Sequence, residues 1–137
     1  SYWPTAADKP HASKHDIEHS SWYKSIQKIV LSNTLPEVAQ ERTTVLAKNL
    51  SDRILELKQV HGENSSDILI FGSPTATHSL MELNLIDGYW LFVNPVILGK
   101  GVPLFENIKE KTKLNLLSSH SFACGVTALN YTLANKK

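Results

Sequence analysis

Apolar residues in this chain fall in short runs, separated by clusters of Gly, Pro, Ser and Asn. A polar opening segment through Ser13 reads as irregular, and His15 to Ile26 predicts a helix. Lys28-Ile-Val-Leu-Ser32 predicts a short strand covered on both faces, because its apolar residues are consecutive and partly β-branched. Ser32-Asn33-Thr34-Leu35-Pro36 breaks it, and Thr43 to Ala47 predicts a second strand. Asn49 or Ser51 is placed to cap a helix over Asp52 to Val60, with Ile54, Leu57 and His61 at helical spacing and Gly62 positioned to end it. Asp67-Ile-Leu-Ile-Phe71 is the clearest strand pattern, and it runs directly into Gly72-Ser73-Pro74. There Ser73 can cap a helix, and Pro74 suits the first helical position, where its missing N–H has no partner to lose. Ala76, Leu80 and Leu83 mark the stripe of that helix, which is expected to end near Ile86.

Asp87-Gly88 turns into the apolar strand Tyr89 to Val93, followed by the loop Gly99-Lys100-Gly101-Val102-Pro103. Two last strands, Leu114 to His120 and Phe122 to Leu133, are joined by so few residues that an antiparallel hairpin is expected. The resulting order, α-β-β-α-β-α-β-β-β, predicts an α/β fold with a doubly wound, mostly parallel sheet and a C-terminal antiparallel hairpin. No internal repeat or low-complexity segment interrupts it. At 137 residues, the expectation is one domain over residues 1–137.

Composition narrows the function classes. The chain is 42% hydrophobic and 20% charged, far from the disordered regime, and its formal net charge of +1 shows no basic stripe. Neither nucleic acid nor a membrane surface is an expected partner, and no run approaches the roughly 18 apolar residues of a membrane span. One cysteine, Cys124, excludes an internal disulfide and reads as a small buried thiol in an apolar strand. Cytoplasmic location is the default expectation. Trp3, Trp22 and Trp90, with Tyr89 and Phe92, supply apolar surface, with the core as the favoured place for it.

The strongest chemical signal is the sequence strand, Gly72-Ser73, helix. Such a turn presents free backbone N–H groups and the positive helix end, which is an anion site. Gly72 lets a phosphate approach the backbone, and Ser73 and Thr75 offer hydroxyls. The plainer reading is a glycine needed at a tight turn. Ser32-Asn33-Thr34 also follows a strand directly and could hold a ribose or a second phosphate, against the plainer reading of a Ser/Asn/Thr turn. His11, His15 and His19 share helical spacing, but no third ligand type joins them and no metal site is expected. Lys28 and Lys48 read as solvated, and His61, His78 and His120 as helix-end or surface residues. No nucleophile elbow, paired-Cys zinc signature or Walker loop is present.

Taken together, Tyr2-Trp3-Pro4, Lys28 to Leu35, Ile68-Leu-Ile-Phe-Gly-Ser73, Leu85-Ile-Asp87 and Asn94-Pro-Val-Ile-Leu-Gly-Lys-Gly101 with Pro103-Leu-Phe105 resemble the dihydrofolate-reductase-like family, in particular the reductase domain of riboflavin biosynthesis. The resemblance runs through nearly the whole chain. It implies a doubly wound sheet, an NADPH cofactor, and hydride transfer to a pteridine-like or pyrimidine-like small molecule. Gly72, Ser73, Pro74 and Thr75 would then wrap the pyrophosphate, and Ser32, Asn33 and Thr34 would face the adenosine 2′-phosphate. Asn94 and the Gly99-Lys100-Gly101 loop would lie toward the nicotinamide or substrate. A homodimer is the family's expectation.

Two departures stand out. Relatives commonly carry arginine where Asn33 stands, and losing that charge leaves NADH open beside NADPH. The family's first strand and helix are expected before Tyr2, and they carry most substrate contacts, so no residue here is named as proton donor. The alternative reading is a non-catalytic nucleotide-binding or dimerisation module. A third is a structural subunit that pairs through an open sheet edge.

Overall fold

In the computed structural model, which describes residues 2–36, 39–40, 42–62, 67–106, 108 and 110–134, strands β1 (Lys28–Leu31) and β3 (Thr43–Leu46) pair in parallel, Lys28 opposite Thr43 through Leu31 opposite Leu46. A two-residue strand that the apolar pattern did not announce, β2 (Ala39–Gln40), pairs antiparallel with the other side of β3. Helix α1 (Lys14–Ser25) precedes this sheet and lies within one residue of its expected limits at both ends. Its first turn is closed by a capping box, since Ser13 Oγ accepts from the Asp16 amide and the Asp16 carboxylate accepts from the Ser13 amide. At the other end Lys28 Nζ donates to the carbonyls of Tyr23 and Ile26, at 3.0 and 2.9 Å. A cation on the last carbonyls of a helix complements its negative end. Lys28 is therefore a helix-terminating group and not a solvated one. Residues Trp3–Asp8, expected to be irregular, form a short 3-10 helix.

Helix α2 (Leu50–Gly62) begins after Asn49, whose carbonyl accepts from the Arg53 amide, and it runs to the expected stop at Gly62. The chain divides into two compact units, Ser1–Arg53 and Ile54–Lys137. Leu46 is buried in the first, and Ile54, Leu80 and Leu85 in the second.

Helix α3 (Pro74–Glu82) has Ser73 as its cap and Pro74 in its first turn, as its sequence requires. It stops four residues before Ile86. Asn84, at φ +55°, takes the left-handed position after the helix, and the amides of Asn84 and Leu85 donate to the carbonyls of Met81 and Leu80 at 3.0 and 2.9 Å. This is a Schellman closure, with Asn in the place that Gly most often fills. Leu83, counted above in the helical stripe, is exposed, and Leu85 takes the buried place.

The second sheet has the order β4-β6-β5, all antiparallel, from β4 (Gly88–Val93), β5 (Leu114–Ser121) and β6 (Thr127–Leu133). The expected hairpin is β5 with β6, and its register shifts between Leu116 and Ser118. Gly88 lies so close to β6 that a Cβ there would meet Tyr131 O at 2.5 Å. Asp87 anchors the start of β4: its carbonyl accepts from the Leu133 amide at 2.9 Å and its carboxylate pairs with Lys58 of α2. The fold class is α/β. Its parallel pairing resides in β1 and β3, and the other strand pairs are antiparallel.

Three further expectations are corrected. Asp67–Phe71 belongs to neither sheet, and Phe71 is 79% exposed. An apolar run specifies a preference for burial, whereas a strand exists only through hydrogen-bonded neighbours. Trp90 and Phe92 are exposed rather than in the core, because alternation along β4 puts Tyr89 and Leu91 on its better covered face and these two on the other. Cys124 is an exposed thiol in a turn, not a buried one in a strand. Gly125, at φ +87°, and the bonds Phe122 N to Val126 O and Gly125 N to Phe122 O close that turn and start β6 only at Thr127.

Candidate functional site

The Gly72 turn is built as an anion cradle requires. Gly72 has φ +62°, a conformation that residues with a Cβ avoid, and a Cβ built there would meet nothing within 4 Å. The space beside this backbone is open. Ser73 Oγ accepts from the Ala76 amide at 3.4 Å, and Ser73 O accepts from Thr77 N and Thr77 Oγ1 at 3.0 and 2.9 Å, which fixes the first turn of α3. Helix geometry leaves the Thr75 amide without a carbonyl one turn back. Gly72, Ser73, Pro74 and Thr75 are all exposed, and the first turn of α3 carries no acidic side chain to offset its positive end. These residues fit a phosphate or pyrophosphate.

Ser32, Asn33 and Thr34 form a separate turn at the end of β1. The Ser32 amide donates to Leu46 O at 3.1 Å, extending the parallel ladder by one residue. Ser32 Oγ accepts from the amides of Thr34 and Leu35 at 3.3 and 3.1 Å, so its hydroxyl shapes the turn. Asn33 and Thr34 are exposed and are the polar side chains this turn can offer a ligand.

Asn94 ends β4, and its side-chain amide donates to Phe92 O at 3.3 Å. The segment after it is exposed, with Ile97 fully so, and Gly99 turns it at φ +71°. Gly101 is exposed too. Both ends of this segment are held. At one, Pro95 lies where a Cβ on Gly125 would meet it at 3.1 Å. At the other, His78 Nε2 of α3 lies 3.2 Å from Pro103 O and 3.0 Å from Leu104 O, and Phe105 meets the Tyr89 ring edge-on at 5.4 Å between centroids. Burial of Tyr89 raises its hydroxyl pKa above the ordinary value of 10.0. The His78 contact is what sequence reasoning missed. Its partners lie 25 and 26 residues away, and no local spacing signals them.

Of the three histidines pointed out by spacing, His15 and His19 have aromatic partners. His15 and His19 lie against Trp3 at 6.0 and 4.0 Å between ring centroids, and His19 also meets Trp22. Among the described residues no three His, Cys, Asp or Glu side chains are grouped as metal ligands. Among them, too, no helix is long and apolar enough to cross a membrane.

Residues 3–128 match the RibD C-terminal domain. The chain belongs to that family. Two Bacillus subtilis relatives of this RibD C-terminal domain chain are uncharacterized proteins. YyaP is 29% identical over 118 residues, covering 85% of this chain and 61% of the relative. YwjB is 33% identical over 94 residues, covering 69% and 52%. The chain thus spans little more than half the length of these relatives. Among solved structures it is similar to a putative riboflavin biosynthesis protein from Shewanella sp. PV-4, with TM-score 0.65 and 24% identity over 89% of this chain and 71% of that one. It is also similar to a pyrimidine reductase-like protein from Corynebacterium diphtheriae, with TM-score 0.52 and 19% identity over 79% and 50%. At these identities the two structures establish the shared fold.

Proposed function

We propose that this chain is the nucleotide-binding part of an NADPH-dependent reductase whose substrate is a pyrimidine-like or pteridine-like small molecule. The observation that carries the reading is the Gly72-Ser73-Pro74-Thr75 turn: an open glycine, two exposed hydroxyls and a helix N-terminus with no acid of its own. Membership of the RibD C-terminal domain family supports it, as do the reductase-like and riboflavin-biosynthesis descriptions of the two structural neighbours. When bound, NADPH would supply the hydride.

The chain's own residues would bind and orient it. The Thr75 amide and the hydroxyls of Ser73 and Thr75 would hold the pyrophosphate, with Gly72 allowing close approach. Asn33 and Thr34 would meet the adenosine 2′-phosphate through neutral hydrogen bonds, on a turn that Ser32 shapes. Asn94, Gly99 and Gly101 would border the nicotinamide or substrate. The protein would act in the cytoplasm as a single domain and as a homodimer, a state for which the exposed Trp90 and Phe92 supply apolar surface.

Titration with NADPH and with NADH, followed by quenching of tryptophan fluorescence, tests the reading. Saturable binding of NADPH is the expected result. Failure to bind either nucleotide would leave the fold without this function, and binding without turnover of any pyrimidine or pteridine substrate would favour a non-catalytic module.

A further inference from the structure

Helix α3 begins at the proposed phosphate turn and, one turn later, carries His78. The His78 ring is mostly buried, its side chain 20% exposed. Carbonyl oxygens only accept, so facing Pro103 O and Leu104 O the ring presents Nε2–H. Nδ1 then lies 4.0 Å from Glu106 Oε2, on the same segment of chain. Two anchors thus hold residues 103–105: the two carbonyls on His78, and Phe105 against Tyr89. Just before them stands the exposed Gly99-Lys100-Gly101 loop, with left-handed Gly99 and open space where a Cβ would stand on either glycine. A glycine loop exposed over its length takes its position from its ends.

We propose that His78 is a positioning residue that fixes the Gly99-Lys100-Gly101 loop relative to the Gly72-Ser73 turn, so that the nicotinamide half of a dinucleotide meets a loop registered to the helix that holds its phosphates. This rests on the NADPH reading for its ligand, but the clamp itself does not. Both contacts from ring to carbonyls are made by one N–H, and its loss leaves the segment held by Phe105 on Tyr89.

The test uses His78→Ala, His78→Gln and His78→Asn. Glutamine places an N–H donor at about the reach of Nε2, and asparagine is too short. Trypsin cleavage after Lys100, located by intact mass, reports the freedom of the loop without any ligand. His78→Ala and His78→Asn are expected to be cut about tenfold faster than wild type, and His78→Gln at close to the wild-type rate. NADPH affinity is expected to fall about tenfold in the first two and recover in His78→Gln. Affinity for adenosine 2′,5′-bisphosphate, which lacks the nicotinamide half, should stay within about twofold in all three. Equal cleavage in all four proteins, or a glutamine variant that behaves like alanine, overturns the clamp. Equal losses for both nucleotides overturn the positioning role and leave a merely structural one. If wild type binds neither nucleotide, the reductase reading fails, and the cleavage contrast still decides the clamp.

Discussion

Two helices of this protein start with the same residue and end up with opposite electrostatics. Both α1 and α3 are capped by serine, Ser13 and Ser73, each accepting from the amide three residues on. In α1 that third residue is Asp16, whose Oδ2 accepts from Ser13 N at 2.9 Å and Ser13 Oγ at 2.6 Å, while Oδ1 accepts from the Tyr2 hydroxyl at 3.3 Å. Hydrogen bonds from the Ser13 side chain and backbone hold the Asp16 pKa below its ordinary value, and the adjacent carboxylate raises that of Tyr2. The positive end of α1 is thus occupied from within. In α3 the third residue is Ala76, proline takes the first position, and the end is left to whatever anion arrives. One helix start is closed by its own carboxylate and the other is not, and the third helical residue makes that difference.

The largest effect should come from Gly72→Val. Its φ of +62° would cost a residue with a Cβ about 1–2 kcal/mol, more for a β-branched one, seen as a lower thermal midpoint. The added Cβ enters open space in this chain, so the loss of NADPH affinity, expected to exceed about a hundredfold, would report the ligand's own need for that space. Gly72→Asn, which tolerates the left-handed region, should keep the midpoint and still weaken binding. Unchanged affinity in both would remove the anion reading.

Ala76→Asp would rebuild in α3 the box of α1 and so breaks the comparison directly. Stability should rise by about 0.3–1 kcal/mol in denaturant unfolding, while NADPH affinity falls about tenfold, because the introduced carboxylate takes the Ser73 hydroxyl and puts negative charge at the helix start. Opposite signs are the informative outcome; a loss in both would mean that the helix start is structural. Asn33→Arg should raise preference for NADPH over NADH, since a charge-assisted phosphate contact contributes about 1.5–3 kcal/mol. Equal gains for both nucleotides would place the 2′-phosphate elsewhere.

The smallest effect belongs to α1. Asp16→Asn should lower the thermal midpoint by a few degrees at neutral pH without changing nucleotide binding. Because folding lowers the Asp16 pKa, its contribution is present above the unfolded-state value, near 3.8, and is lost as pH falls through the still lower native value. Urea midpoints measured from pH 6 down to pH 3 should therefore converge for wild type and variant at the acid end. A constant difference across that range would show that the carboxylate charge contributes nothing to the box.

Much of this was legible without coordinates, and what was legible is local. The starts of α1 and α3, the hairpin of β5 and β6, the stop at Gly62 and the family motifs each depend on residues within a few positions of one another, where chain geometry alone brings the groups into reach. The Schellman end of α3 was equally local, and Asn84 was the missed signal, since asparagine takes the left-handed position less often than glycine. What tertiary structure decided depends on distant partners. Asp67–Phe71 is as apolar as any strand here but belongs to neither sheet. Trp90 and Tyr89 are neighbours with the same preference for burial, and which face of β4 is covered settled that one is 70% exposed and the other half-buried. His78 took its place from carbonyls on a segment 25 and 26 residues away. Hydrophobicity and capping are properties of a residue and its near neighbours, whereas pairing and burial are properties of what the rest of the chain brings alongside.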